Sequence, residues 1–147
     1  MTDAVDHGSL FLGGTRHWCE ALAARAVKQV IERDGLPYLT RYFLAGWNPH
    51  YRRPAPAAFL HHFVASDPRG TVHSHPWDAM SIILVGAYRE FRCNADGTPF
   101  DVRDYREGEI NYLTTVDRHR IELLTRDCWT LFLAGEYMRD WEFFPSC

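Results

Sequence analysis

The spacing of hydrophobic positions changes partway along the chain. Over residues 17–34, Trp18, Leu22, Val27, Val30 and Ile31 recur at helical intervals with polar residues between them. The spacing predicts one helix, stopped by Gly35 and Pro37. The first dozen residues read as an arm. Residues 38–47 predict a first strand, and 48–56, with three prolines, a loop. From Ala57 onward the pattern becomes short apolar runs divided by turn residues, which predicts strands at 59–65, 71–75, 80–93, 100–105, 110–113, 119–124 and 129–133. Gly86 marks a bend inside the long run, and Asn94-Ala95-Asp96-Gly97 a hairpin turn. Many short strands at regular spacing predict a sandwich or barrel. The expected architecture is mainly β, with one N-terminal helix. Residues 1–56 supply the arm, the helix and a first strand packing on the barrel, residues 57–147 supply the barrel core, and the whole is one structural domain.

Composition narrows the class. The chain has 147 residues, of which 46% are hydrophobic and 14% aromatic, enough for a packed core. A net charge of −3 offers no attraction for nucleic acid or an anionic membrane. No apolar run approaches the ~20 residues that span a bilayer. The acidic start, Met1-Thr2-Asp3-Ala4-Val5-Asp6, lacks the basic segment of a signal peptide. Cys19, Cys93, Cys128 and Cys147 are widely separated and form no C-x-x-C pair. Free thiols and a cytoplasmic location are therefore expected.

Candidate chemistry concentrates in Thr71-Val72-His73-Ser74-His75-Pro76-Trp77-Asp78. Strand residues i and i+2 share a face, so His73 and His75 can present both imidazoles to one metal ion before Pro76 ends the strand. Asp78 has three readings: a further ligand, a hydrogen-bond partner that orients a ligand imidazole, or a turn residue. The last two are favoured because the Pro76-Trp77 bend aims it away. One of His61 and His62 must face inward, as a substrate-orienting or acid–base group or as a buried core histidine. Met80, Ile82 and Leu84 share one face of their strand and are expected to line the interior. Of Arg89, Arg103, Arg118 and Arg120, Arg89 is the preferred partner for a substrate carboxylate.

The β-run pattern and the H-x-H pair together resemble the cupin superfamily, small jelly-roll barrels with a central metal. In its first motif a Gly precedes H-x-H, which is followed by a Glu and then another Gly. Here His73, His75 and Gly86 match, and the glutamate position falls on Ala79 or Met80. In the second motif Gly108 and His119 match, while Thr114, Val116 and Leu123 replace the Pro, Gly and Asn. The H-x-H-P-W-D wording, the Ser81-Ile82-Ile83-Leu84 run and the Trp141-Glu142-Phe143-Phe144 tail further resemble small cupin-like proteins of actinobacteria and phages. That closer resemblance favours His61 as the inward histidine. Ile121 and Leu123 share the predicted face of His119.

The resemblance implies a metal held by His73, His75 and His119 without the usual glutamate, a ligand set resembling that of thiol dioxygenases. The expected ion is Fe²⁺, with Ni²⁺, Zn²⁺, Mn²⁺ and Cu²⁺ as alternatives. The expected function is a mononuclear non-haem oxygenase taking O₂ and a small polar metabolite, with a thiol such as cysteine or a derivative as first candidate. Two alternatives stand beside it: a redox-neutral cupin isomerase, lyase or hydrolase, and a non-catalytic metabolite-binding cupin. A homodimer paired through sheet edges is also expected.

Overall fold

The short apolar runs become strands of two antiparallel sheets in the computed structural model, which describes residues 7–46 and 56–145. One helix, α1 (His7–Ala23), precedes β1 (Val27–Arg33), β2 (Leu36–Ala45) and β3 (Ala57–Phe63). There follow β4 (Thr71–Ser74), β5 (Ala79–Val85), β6 (Ala87–Cys93), β7 (Pro99–Arg106) and β8 (Ile110–Leu113). The chain continues through β9 (Arg118–Leu123), β10 (Cys128–Ala134) and β11 (Glu142–Pro145). The larger sheet runs β1-β2-β3-β10-β5-β8 and the smaller β11-β4-β9-β6-β7. None of the described helices is long and apolar enough to cross a membrane.

The first third of the chain differs from its predicted form. The helix lies earlier than residues 17–34, and Val27–Arg33 is a strand. Asp34 and Gly35 form a two-residue hairpin with φ of 52° and 75°, pairing Arg33 with Leu36. Positive φ at both positions is the turn that matches strand twist, so Asp-Gly opens a hairpin here and does not end a helix. The β-branched Val27, Val30 and Ile31 favour that outcome. Strands β1 and β2 continue the larger sheet itself. The predicted loop at 48–56 lies almost wholly outside the described residues.

Gly86 divides the long 80–93 run between the two sheets, since β5 belongs to the larger and β6 to the smaller. Its φ is +81°, and a Cβ there would lie 2.3 Å from the Asp127 carbonyl oxygen. Only glycine fits this crossing. Between the sheets lie two clusters, one around Phe59, Trp77 and Phe132, the other around Ile83, Tyr88 and Ile121. A third, with Cys19, Leu60, Val85 and Trp129, seats α1 on the outer face of the larger sheet.

Cysteine usage also departs from expectation. Cys19 and Cys128 are free and buried, but Cys93 is disulfide-bonded. Its partner lies outside the described residues.

Candidate metal centre

Two strands and a turn bring three imidazoles together. His73 on β4 stands directly opposite His119 on β9 in the antiparallel register. His75, two residues further on, keeps the face of His73 just beyond the strand end. Ring centroids lie 4.7 Å apart for His73 and His119, 5.0 Å for His75 and His119, and 5.1 Å for His73 and His75. All three rings are buried, and one nitrogen from each falls within 4.8 Å of the others.

The donor set fits a divalent ion. His75 Nε2 and His119 Nε2 are 2.8 Å apart. Two imidazole nitrogens bound at about 2.1 Å and at right angles to one ion stand roughly 3 Å apart. Burial, helped by the neighbouring His119 and His73, pushes His75 far below the usual histidine range. Burial likewise lowers His73 to about 4, Asp67 opposing the shift and His119 and Arg33 reinforcing it. Neutral imidazoles are what a metal ion requires as ligands.

No carboxylate joins the cluster among the described residues. Ala79 and Met80, at the motif's glutamate position, pair with Leu113 and Tyr112 on β8. The acidic group stands behind a ligand instead: Glu90 Oε1 accepts a hydrogen bond from His119 Nδ1 at 2.5 Å. Asn111 and Arg92 also donate to Glu90. Burial alone would raise the Glu90 pKa, but the hydrogen bond and charge of His119, with the hydrogen bonds of Asn111 and Arg92, outweigh it and hold the carboxyl at about 2. An ionised Glu90 fixes the proton on Nδ1 and leaves the Nε2 lone pair facing the other histidines. Asp67 lies on the Nδ1 side of His73, at 3.9 Å, beyond hydrogen-bond reach.

Glu90 was legible as an acidic residue sharing the inward row of β6 with Tyr88. Arg89, the predicted carboxylate anchor, has the opposite parity. It points outward and is paired with Asp104 at 2.7 Å, so that assignment is corrected. Asp78 also lies away from the histidines: it is exposed, and its carboxylate accepts the Thr115 N–H at 2.9 Å. The bend after Pro76 aims it at the neighbouring loop, which removes both the ligand and the imidazole-orienting readings. Ser81 and Ile83 keep the parity of His73 and His75 and face the interior, so the expected lining by Met80, Ile82 and Leu84 is corrected. Arg103 reaches Glu109, Arg118 covers Phe144, and Arg120 covers Phe91.

The histidines open into a cavity of about 420 Å³ between the sheets. His61 lines it, buried between the rings of Phe59 and Phe132, while His62 faces outward to Asp127. Ile121 lines it beside His119. Arg41, which the sequence reading passed over, lines the cavity next to His61 at 5% exposure. Its signal was a charge within the alternating row of Leu39, Arg41 and Phe43. The aromatic tail closes one side, with Trp141 4.9 Å from the His75 ring centroid and Phe143 6.2 Å from that of His73.

Comparisons with known proteins bear on the fold. No family model matches the chain, and no curated protein matches it in sequence. Solved structures do match. The Fe(II)-HppE structure with the alternative substrate (S)-1-HPP is similar over 76% of this chain and 57% of that one, at 11% identity and a TM-score of 0.59. The chain thus spans little more than half the length of that protein. The DMSP lyase DddQ from Ruegeria pomeroyi DSS-3 matches 98% of this chain and 70% of its own, at 16% identity and a TM-score of 0.64. An uncharacterized conserved protein with a double-stranded β-helix domain from Klebsiella pneumoniae matches 80% and 90%, at 12% identity and a TM-score of 0.52. Two facing antiparallel sheets, one helix and these neighbours give the chain the double-stranded β-helix fold of the cupins.

Proposed function

We propose that the chain is a mononuclear metal-dependent enzyme whose ion is held by His73, His75 and His119. The convergence of three buried imidazole nitrogens within 4.8 Å carries this reading. An ion held there would supply Lewis-acid chemistry and, where it is Fe²⁺, redox chemistry as well. The protein does the rest. Glu90 orients His119 through Nδ1, and Trp141 and Phe143 pack against the histidines. The cavity volume suits a small metabolite.

Within that class the favoured reaction is oxidation of a small polar metabolite by O₂, with Fe²⁺ as the ion and a thiol such as cysteine or a derivative as first substrate candidate. Three neutral ligands leave the ion's charge uncompensated, which favours an anionic donor such as a thiolate. The fold neighbour Fe(II)-HppE supports iron. A redox-neutral lyase is the second reading, supported by the DMSP lyase match over nearly the whole chain. Protein purified without oxygen, followed by metal analysis and O₂-electrode measurements with cysteine and related thiols, decides between them. Near-stoichiometric iron with thiol-dependent O₂ uptake is the expected result. Zinc, nickel or manganese with no O₂ uptake would favour the lyase reading, and protein that takes up no metal would refute both.

A further inference from the structure

The cavity has two chemically different walls. The three histidines belong to the smaller sheet and its edge, whereas Arg41 and His61 stand side by side on β2 and β3 of the larger sheet. Packed sheets lie about 10 Å apart, so a ligand of a few heavy atoms can touch both walls.

We propose that Arg41 and His61 bind a carboxylate of the substrate, opposite the three histidines. This rests on the metal-centre reading for what holds the other end of the molecule. Arg41 Nε donates to His61 Nε2 at 3.3 Å, which makes Nε2 an acceptor and places the ring hydrogen on Nδ1. His61 Nδ1 is buried without a hydrogen-bond partner among the described residues. A buried donor left in this state is costly, and a ligand oxygen would satisfy it. The ring cannot easily turn away, because it stacks on Phe59 at 5.8 Å and on Phe132 at 4.8 Å.

Charge points to the same occupant. Arg33 and Arg41 line the cavity, and no aspartate or glutamate does so among the described residues. The nearby buried carboxylates, Glu90 and Asp67, lie on the Nδ1 sides of His119 and His73. Burial lowers the Arg41 pKa only to about 10, so the guanidinium remains a cation at neutral pH. It lies over the Phe59 ring at 5.0 Å, which limits its motion. A fixed guanidinium fork beside an imidazole N–H suits the two oxygens of a carboxylate. The structure thereby assigns the substrate to small carboxylates that carry a metal-binding donor at the other end.

Calorimetric titration of metal-free protein with succinate, and with its neutral diamide succinamide, tests this. Succinate is expected to bind at least about tenfold more tightly than succinamide, as loss of a charged hydrogen-bonded pair implies. Arg41→Met should abolish that preference. Arg41→Lys should retain part of it, and His61→Phe, which keeps the ring stack, should weaken succinate several-fold. If Arg41→Met does not fold by circular dichroism, the Arg41→Lys and His61→Phe results decide. His119→Ala should still bind succinate while losing metal, which separates the anchor from the metal site. Equal binding of succinate and succinamide, no succinate binding by wild type, or succinate binding lost in His119→Ala but unchanged in the Arg41 and His61 variants would overturn the proposal. Arg41-dependent succinate binding in a wild-type protein that takes up no metal would uphold the anchor and refute only the metal-centre reading.

Discussion

Among the described residues, two histidines are hydrogen-bonded to carboxylates, one on the outside of the larger sheet and one buried between the sheets. Outside, His62 Nε2 meets Asp127 at 2.8 Å, Arg16 clasps the same carboxylate through two 2.8 Å bonds, and the His62 ring stacks on Trp129. Inside, His119 Nδ1 meets Glu90. The outer pair is closed by its own arginine and fastens α1 to the larger sheet. The inner pair leaves the second nitrogen of His119 facing two more imidazoles. A histidine–carboxylate pair is thus a fastening in one place and part of a candidate metal centre in the other. The direction of the remaining ring nitrogen makes the difference.

Substitutions can break that contrast in graded steps. The largest effect belongs to His119→Ala, which removes one of three neutral ligands; metal analysis of the folded variant should find no retained ion. Glu90→Gln keeps the shape but loses the anion behind His119, and competition with a chelator should show metal affinity lower by about 10- to 100-fold. Asp127→Asn strikes the outer pair alone. Because Arg16 is partly exposed and solvent screens the pair, denaturant melts should record a loss of about 1 kcal/mol or less, with metal affinity unchanged. Arg89→Ala, at an exposed ion pair remote from the cavity, should leave metal content and activity intact and stability within about 0.5 kcal/mol.

Protons sharpen the same contrast in the metal-free protein. Burial lowers His73 to about 4 in the fold, against about 6.5 in an unfolded chain. Between these values the unfolded chain binds a proton that the native protein does not, so stability falls as the pH is lowered through that window. Above about 6.5 the contribution is complete. Thermal melts from pH 7.5 to 4.5 should show Tm dropping with acidification. A flat profile would mean that His73 is not buried as a neutral base.

Much of this arrangement could be read from alternation alone. H-x-H on a strand and a histidine spaced from Gly108 were enough to nominate three residues that the fold does bring together. What the sequence concealed involved the phase and pairing of strands. Parity carries through the Pro76-Trp77 bend, so Ser81 and Ile83, and not Met80, Ile82 and Leu84, share the inward row of His73 and His75. One residue of parity separated Arg89 from Glu90 on β6. Arg41 was hidden because its neighbour His61 is adjacent only across a strand pair. The Asp-Gly hairpin after β1 was masked by a coincidental helical spacing of Val27, Val30 and Ile31, which local β-branching should have outweighed.

The most direct measurement of the central claim is X-ray absorption spectroscopy on protein reloaded with one equivalent of Fe²⁺ or Co²⁺ without oxygen. Three imidazole ligands per ion in the wild type, and no bound ion in His119→Ala, are the predicted result. A spectrum with no histidine scattering, or one unchanged by His119→Ala, would contradict it.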